Sequence, residues 1–280
     1  MVQPISPDGP LRLAISMDDL FLWPDMPLAP GYSHLGITQA MTRAMQRHGV
    51  TGAYAFSATT PAERQPDLYR VFDHWVEHGH HIANHTHQHA NLNWVTVPAY
   101  VADIERTETL IEPWSSRAPT RYFRYCMDNW GNTPEKHAGV QAYLARHGFT
   151  AAPISLWFYD TEFLAPHWRA LATGDTEGVA RLRRAFVDTA EQQLRVQAAA
   201  ARAMFGRDPA HIWLIHGTPL AADCLDAILD RFEAAGVVFV SLEEAMADPM
   251  NHEAVPIVTP RFLNQVQKWA EVKGVPIEDC

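Results

Sequence analysis

Seven short apolar runs, at residues 11–16, 51–56, 81–85, 122–125, 150–156, 212–216 and 237–242, alternate with segments whose apolar residues recur at helical spacing. The helical segments are 37–47, 68–77, 100–114, 134–146, 175–205 and 221–235. Strands separated in this way pair in parallel, with helices packed outside the sheet. Gly49, Gly79, Gly148, Gly206 and Gly236 each follow a predicted helix, where a residue free to turn left-handed ends it. Periodicity alone fits a closed barrel and an open doubly wound sheet equally. With no internal repeat, low-complexity tract or interdomain linker, the chain reads as one domain: a core over about 11–247, then a tail over 249–280 with a predicted helix at 261–272.

Three of the runs end directly in groups that carry chemistry. Ala14-Ile15-Ser16-Met17 leads into Asp18 and Asp19, Ile82-Ala83-Asn84 into His85 and His89, and Ile212-Trp213-Leu214-Ile215 into His216. In parallel α/β folds the loops at the carboxyl ends of the strands display the catalytic side chains. His85 and His89, four residues apart, can converge on one ion. One carboxylate completes a set of three protein ligands that leaves positions open, as a catalytic metal requires. Asp19 is the candidate third ligand. The ion is divalent, zinc first, with cobalt, nickel, iron and manganese compatible with the same ligands. No other cofactor is indicated. His80, His81 and His87 crowd this motif but read as bystanders, because neighbours along a strand point to opposite faces.

These motifs resemble those of the polysaccharide deacetylases of carbohydrate esterase family 4. Ser16-Met17-Asp18-Asp19-Leu20 is similar to the family's first motif, and His85-Thr86-His87-Gln88-His89 to its second. Arg124 in Phe123-Arg124-Tyr125 resembles the third, Asp160 the fourth and Leu214-Ile215-His216 the fifth. The resemblance implies a distorted (β/α)7 barrel and a hydrolase acting on non-peptide carbon–nitrogen bonds. It further implies that Asp18 is the general base, Arg124 the group paired with it, His216 the general acid and Asp160 the carboxylate that orients a neighbour. Three departures stand out. Tyr125-Cys126-Met127-Asp128 replaces the Pro-Pro-Tyr-Gly that carries the oxyanion donor in relatives, Thr161 follows Asp160 in place of Trp, and Leu20 replaces Gly.

Composition narrows the partners. A formal net charge of −10 with a pI near 5.8 disfavours nucleic acid and anionic membrane, both of which need concentrated Lys and Arg. Cys126, Cys224 and Cys280 are far apart and odd in number, so no disulfide framework is indicated. Residues 1–10 contain no basic start and no apolar stretch of signal length, and a cytoplasmic location is expected. A homo-oligomer is compatible with the tail helix. The segment 20–32, rich in Pro and aromatics, is expected to fold over the metal as a partial lid that favours small substrates.

The leading reading is a metal-dependent hydrolase that removes an acyl group, acetyl first, from an amide nitrogen of a carbohydrate or related small molecule. An iron oxygenase with two His and one carboxylate shares the ligand set, but the β/α alternation opposes it. A degenerate, non-catalytic carbohydrate-binding barrel is suggested by the altered motifs and opposed by the retained Asp18.

Overall fold

The computed structural model describes residues 4–6, 9–23, 26–252, 255 and 257–277. Residues 1–3 and 7–8 of the leader reading, Pro24 and Asp25 of the lid segment, and Cys280 lie outside the described residues.

Seven strands form one sheet: β1 (Leu11–Asp18), β2 (Tyr54–Ser57), β3 (His81–Asn84), β4 (Tyr122–Phe123), β5 (Thr150–Ala151), β6 (His211–His216) and β7 (Val237–Phe239). Every pairing is parallel, in the order β5-β4-β3-β2-β1-β6. β7 joins the amino-terminal part of β1 on the edge opposite β6, since Leu13 pairs with both His211 and Phe239. Beyond β5, Leu156 makes a parallel bridge to Trp213 in β6, which curls the sheet toward closure. This is the distorted (β/α) barrel of parallel strands with outer helices.

Alternation along the strands sorts the core into two layers. Leu11, Leu13, Ile15 and Met17 point outward, into a cluster shared with Met41, Phe72, Trp75 and Leu225 of the surrounding helices. Ala14 points inward, with Tyr54, Phe56, Ala83, Tyr122 and Ile212. Each large buried side chain stabilises by about 1.5–3 kcal/mol, and a one-residue slip would send them all to the wrong face. That register places Ser16 and Asp18 on the inward row, at the carboxyl end.

Several predicted boundaries shift for local reasons. The run 150–156 pairs regularly only at Thr150–Ala151, because Pro153 has no N–H to give to a ladder. The last strand stops at Phe239, since Ser241 and Glu244 form a capping box that starts the helix Leu242–Met246. A helix at Leu164–Ala172 lies between the predicted elements, and the tail helix is Gln265–Lys273. The tail helix packs against the long helix Thr176–Phe205, which also covers Pro219–Ala234. Among the described residues, no helix is long and apolar enough to cross a membrane.

Candidate active site

Asp18 ends the inward row of β1 and is 2% exposed. Arg124, one residue past β4, is fully buried and reaches across the barrel interior to meet it. Its Nη1 donates to Asp18 Oδ1 and to Ser16 Oγ, both at 2.8 Å, while Nε donates to the Ala152 carbonyl at 3.2 Å. The guanidinium carbon lies 4.0 Å from the centre of the Phe56 ring. A buried guanidinium is tolerated when its donors are satisfied and its charge is paired, and both conditions hold here. The carbonyl of the same residue accepts from His85 Nδ1 at 2.9 Å.

A carbonyl can only accept, so the His85 proton sits on Nδ1 and Nε2 carries a lone pair. That Nε2 is buried without a hydrogen-bond partner and lies 3.6 Å from Asp18 Oδ2. Burial, with help from neighbouring His89, pushes the imidazole down to about 3, so it is neutral at physiological pH. His89 Nε2 lies 3.5 Å from Asp19 Oδ2, and Asp19 Oδ1 accepts from the Ala58 amide at 3.0 Å. The His85 lone pair, facing a carboxylate oxygen with no hydrogen between them, is part of a donor set for a cation. Two ligand atoms each about 2.1 Å from a tetrahedral zinc are about 3.4 Å apart, close to the separations seen. The imidazoles of His85 and His89, each facing a carboxylate, offer ligands to a divalent ion. Among the described residues, the group of three in this loop cluster whose ligand atoms all lie within 4.8 Å of one another is His85, His89 and Cys126. The Cys126 thiol is occupied, donating to the His85 carbonyl at 3.1 Å, and burial pushes its pKa well up.

On the β6 side, Asp160 receives three hydrogen bonds. The His216 amide donates to Oδ2 at 2.8 Å, and His216 Nδ1 and Trp157 Nε1 donate to Oδ1 at 2.9 and 2.8 Å. Burial opposes charge on His216, but the carboxylate of Asp160, with Asp18 and Asp19 beyond it, outweighs burial and raises the imidazole to about 9. Burial would likewise raise Asp160, and His216 holds it below its ordinary value instead. Gly217 packs this loop against the first: its amide donates to the Asp19 carbonyl at 3.1 Å. A Cβ there would meet the Leu20 carbonyl oxygen at 2.9 Å, so only glycine permits the approach.

The departures from the family motifs have structural answers. Leu20 is buried, and the positive φ falls one residue earlier, at Asp19 (φ 50°). Trp157, before Asp160 rather than after it, supplies the indole beside His216. In the altered third motif, Met127 and Asp128 take positive φ (55° and 47°). Asp128, buried, is held by Lys268 of the tail helix, whose Nζ donates to its carboxylate and its carbonyl, both at 2.7 Å. Among the described residues, the non-glycine residues with positive φ are Asp19, Thr86, His89, Met127, Asp128 and Tyr159, all on loops that leave strand ends. Such conformations cost about 1–3 kcal/mol each and concentrate where function requires them.

The bystander histidines have partners elsewhere: His80 Nδ1 accepts from the Ala53 amide and His87 Nε2 faces Glu63. Sequence reasoning missed Ser16, Trp157, Gly217 and Lys268. Ser16 was within reach, two residues before Asp18 on the same strand face. Lys268 was not, lying 140 residues from Asp128. The lid expectation is only partly met: Phe21, Leu22, Trp23 and Met26 line a pocket over Asp18, Asp19, His89 and His216, but Phe21 is buried and also packs inward against Phe72.

Residues 23–150 match the family described as polysaccharide deacetylase. This part of the chain is similar to the polysaccharide deacetylase family, whose members are hydrolases that act on non-peptide carbon–nitrogen bonds. The match contains His85, His89 and Arg124; Asp18, Asp19, Asp160 and His216 lie outside it. Solved structures extend the likeness in fold over most of the chain. A family 4 carbohydrate esterase from Streptomyces lividans in complex with acetate is 17% identical, with a TM-score of 0.53, covering 82% of this chain and 91% of its own. PdaA of Bacillus subtilis, also a family 4 carbohydrate esterase, is 14% identical, with a TM-score of 0.55 and coverages of 88% and 84%. A pseudoenzyme of the same family from Bacillus anthracis is 12% identical, with a TM-score of 0.55 and coverages of 86% and 66%. No curated protein matches the chain in sequence.

Proposed function

We propose that the chain is a metal-dependent hydrolase that removes an acyl group, acetyl first, from the nitrogen of a carbohydrate or related small amide. One observation carries this reading: Nε2 of His85 and Nε2 of His89 face carboxylate oxygens at 3.6 and 3.5 Å, beside a His216 held protonated by Asp160. Asp19, His85 and His89 hold the ion, zinc first. When bound, the ion supplies Lewis acidity, which polarises an amide carbonyl and lowers the pKa of water.

The remaining work falls to the chain's own groups. Arg124 occupies Asp18 Oδ1, which leaves Oδ2 to take a proton from the attacking water. His216, its Nδ1 fixed by Asp160, presents Nε2 as the acid that protonates the departing amine. Asp160 thus orients and charges His216 without touching substrate. The core over about 11–247 and the tail over 249–280 act as one catalytic unit, a reading supported by the Lys268–Asp128 pair that ties them.

Elemental analysis of the protein as purified, followed by acetate release from N-acetylated sugars and small acetamides with and without zinc, tests the reading. About one equivalent of divalent metal and zinc-dependent release are expected. The altered third motif and the likeness to a pseudoenzyme fold favour a second reading, a barrel that binds without turnover. Ligand binding with no release at any metal loading would select it.

A further inference from the structure

The pocket over the candidate metal site measures about 1170 Å³, just above the usual range of small-molecule sites, about 300–1,000 Å³. Its wall is built by separate stretches of chain: Trp23 and Met26 after β1, Met127 after β4, Trp157 and Leu164 after β5, and Phe262 from the tail. Trp157 and Phe262 meet edge to face at 4.9 Å, so the tail wall and the β5 wall are continuous. Outside the cluster around the metal site, the charged groups on the wall are Glu162 and Arg169, both exposed.

Met26, Met127 and Trp168 are 45%, 42% and 41% exposed, and all three open onto this pocket. Large apolar groups left in water beside a reactive site mark a surface that a ligand covers, and methionine adapts its shape to what it meets. A sugar can stack one ring face on Trp157 or Trp168, but Met26, Met127, Leu164 and Phe262 offer its hydroxyls no strong hydrogen-bond partner. Nearly every ring carbon carries a hydroxyl, and each one buried without a partner costs about 1–3 kcal/mol. An aromatic or branched aliphatic body carries no such cost and gains from the burial.

We infer that the substrate of this site is a small amide whose body is apolar, aromatic first, rather than an N-acetylated glycan. The inference rests on the hydrolase reading for its chemistry, and on the pocket wall for its specificity. The amide carbonyl lies toward Asp18, Asp19 and His89, and the apolar body against Trp168 and Phe262.

Calorimetric titration of the zinc-loaded full chain with N-acetyl-2-phenylethylamine and with triacetylchitotriose tests the wall without reference to turnover. The aromatic amide is expected to bind at least about tenfold more tightly. Phe262→Ala and Trp168→Ala are each expected to weaken its binding by about threefold to tenfold and to leave the glycan's affinity unchanged. Equal or tighter binding of chitotriose, or aromatic binding indifferent to both substitutions, overturns the inference. Acetate release from the same two compounds separates the two claims. An aromatic amide that binds as expected yet is never hydrolysed sinks the hydrolase reading and leaves the apolar pocket standing, whereas hydrolysis confined to chitotriose does the reverse.

Discussion

The two halves of the barrel mouth are built on different principles. On the β1, β3 and β6 side, polar groups sit directly at strand ends: Asp18 is placed by register, while His85 and His216 are held from the loops after β4 and β5, by the Arg124 carbonyl and by Asp160. On the β4 and β5 side, strands are only two residues long, and the loops beyond them are held from the far end of the chain, by Lys268 at Asp128 and by the Gln265 amide at the Ile154 carbonyl. On the proposed reading the first half carries the reaction and the second meets the ligand, and there the chain departs from the family's motifs.

The largest test separates the adjacent carboxylates. Asp18→Asn should lower turnover by about 10³-fold or more while leaving metal content near one equivalent. Asp19→Asn, His85→Ala and His89→Ala should each lower metal content and activity together. The reverse pattern, with metal lost from Asp18→Asn and kept by Asp19→Asn, would exchange the two roles.

Next in size is His216. Its folded pKa, about 9, lies above its ordinary value of about 6.5. The charged pair with Asp160 therefore stabilises fully below pH 6.5 and loses that contribution as pH rises through 9. Turnover should fall along the same alkaline limb, and His216→Ala should cost about 10²-fold and flatten that limb. A pH–rate profile in which the variant keeps its alkaline fall would remove the acid from His216.

The other half of the mouth is probed by Lys268→Met, which strands a buried carboxylate. A loss of about 3–5 kcal/mol in urea unfolding is expected, with part recovered by adding Asp128→Asn. Metal content should not change. If metal is lost as well, the two halves are not independent and the comparison fails. The smallest effect belongs to Cys126→Ser, for which activity and metal content should stay within about twofold. Loss of metal in that variant would make the thiol, not Asp19, the third ligand.

The same division explains what could be read in advance. Asp18, His85, His89 and His216 were legible because each stands at or shortly past the end of a mainly apolar run, and the sheet's alternation then decides the face of those at strand ends. The end of β5 was not, because Pro153 lies inside a run that reads as strand by hydrophobicity alone. The helix Leu164–Ala172 was hidden by the loop that carries Asp160. Phe21 reads as lid by its neighbours in sequence, yet it is drawn into the core by Phe72, a contact that no local pattern announces. The Lys268–Asp128 pair is legible only in three dimensions.

Arg124 serves two masters through two ends of one residue. Its guanidinium fixes the orientation of Asp18, and its carbonyl fixes the tautomer of His85. On the proposed reading, a displacement of Arg124 itself relative to β1 therefore disturbs proton acceptance and ion affinity in the same stroke. Substitutions around Phe56 or Ala152, which seat the guanidinium, cannot tune one property while sparing the other. In this barrel the loss of activity and the loss of metal should travel together along β4, although they separate cleanly at the Asp18 and Asp19 side chains.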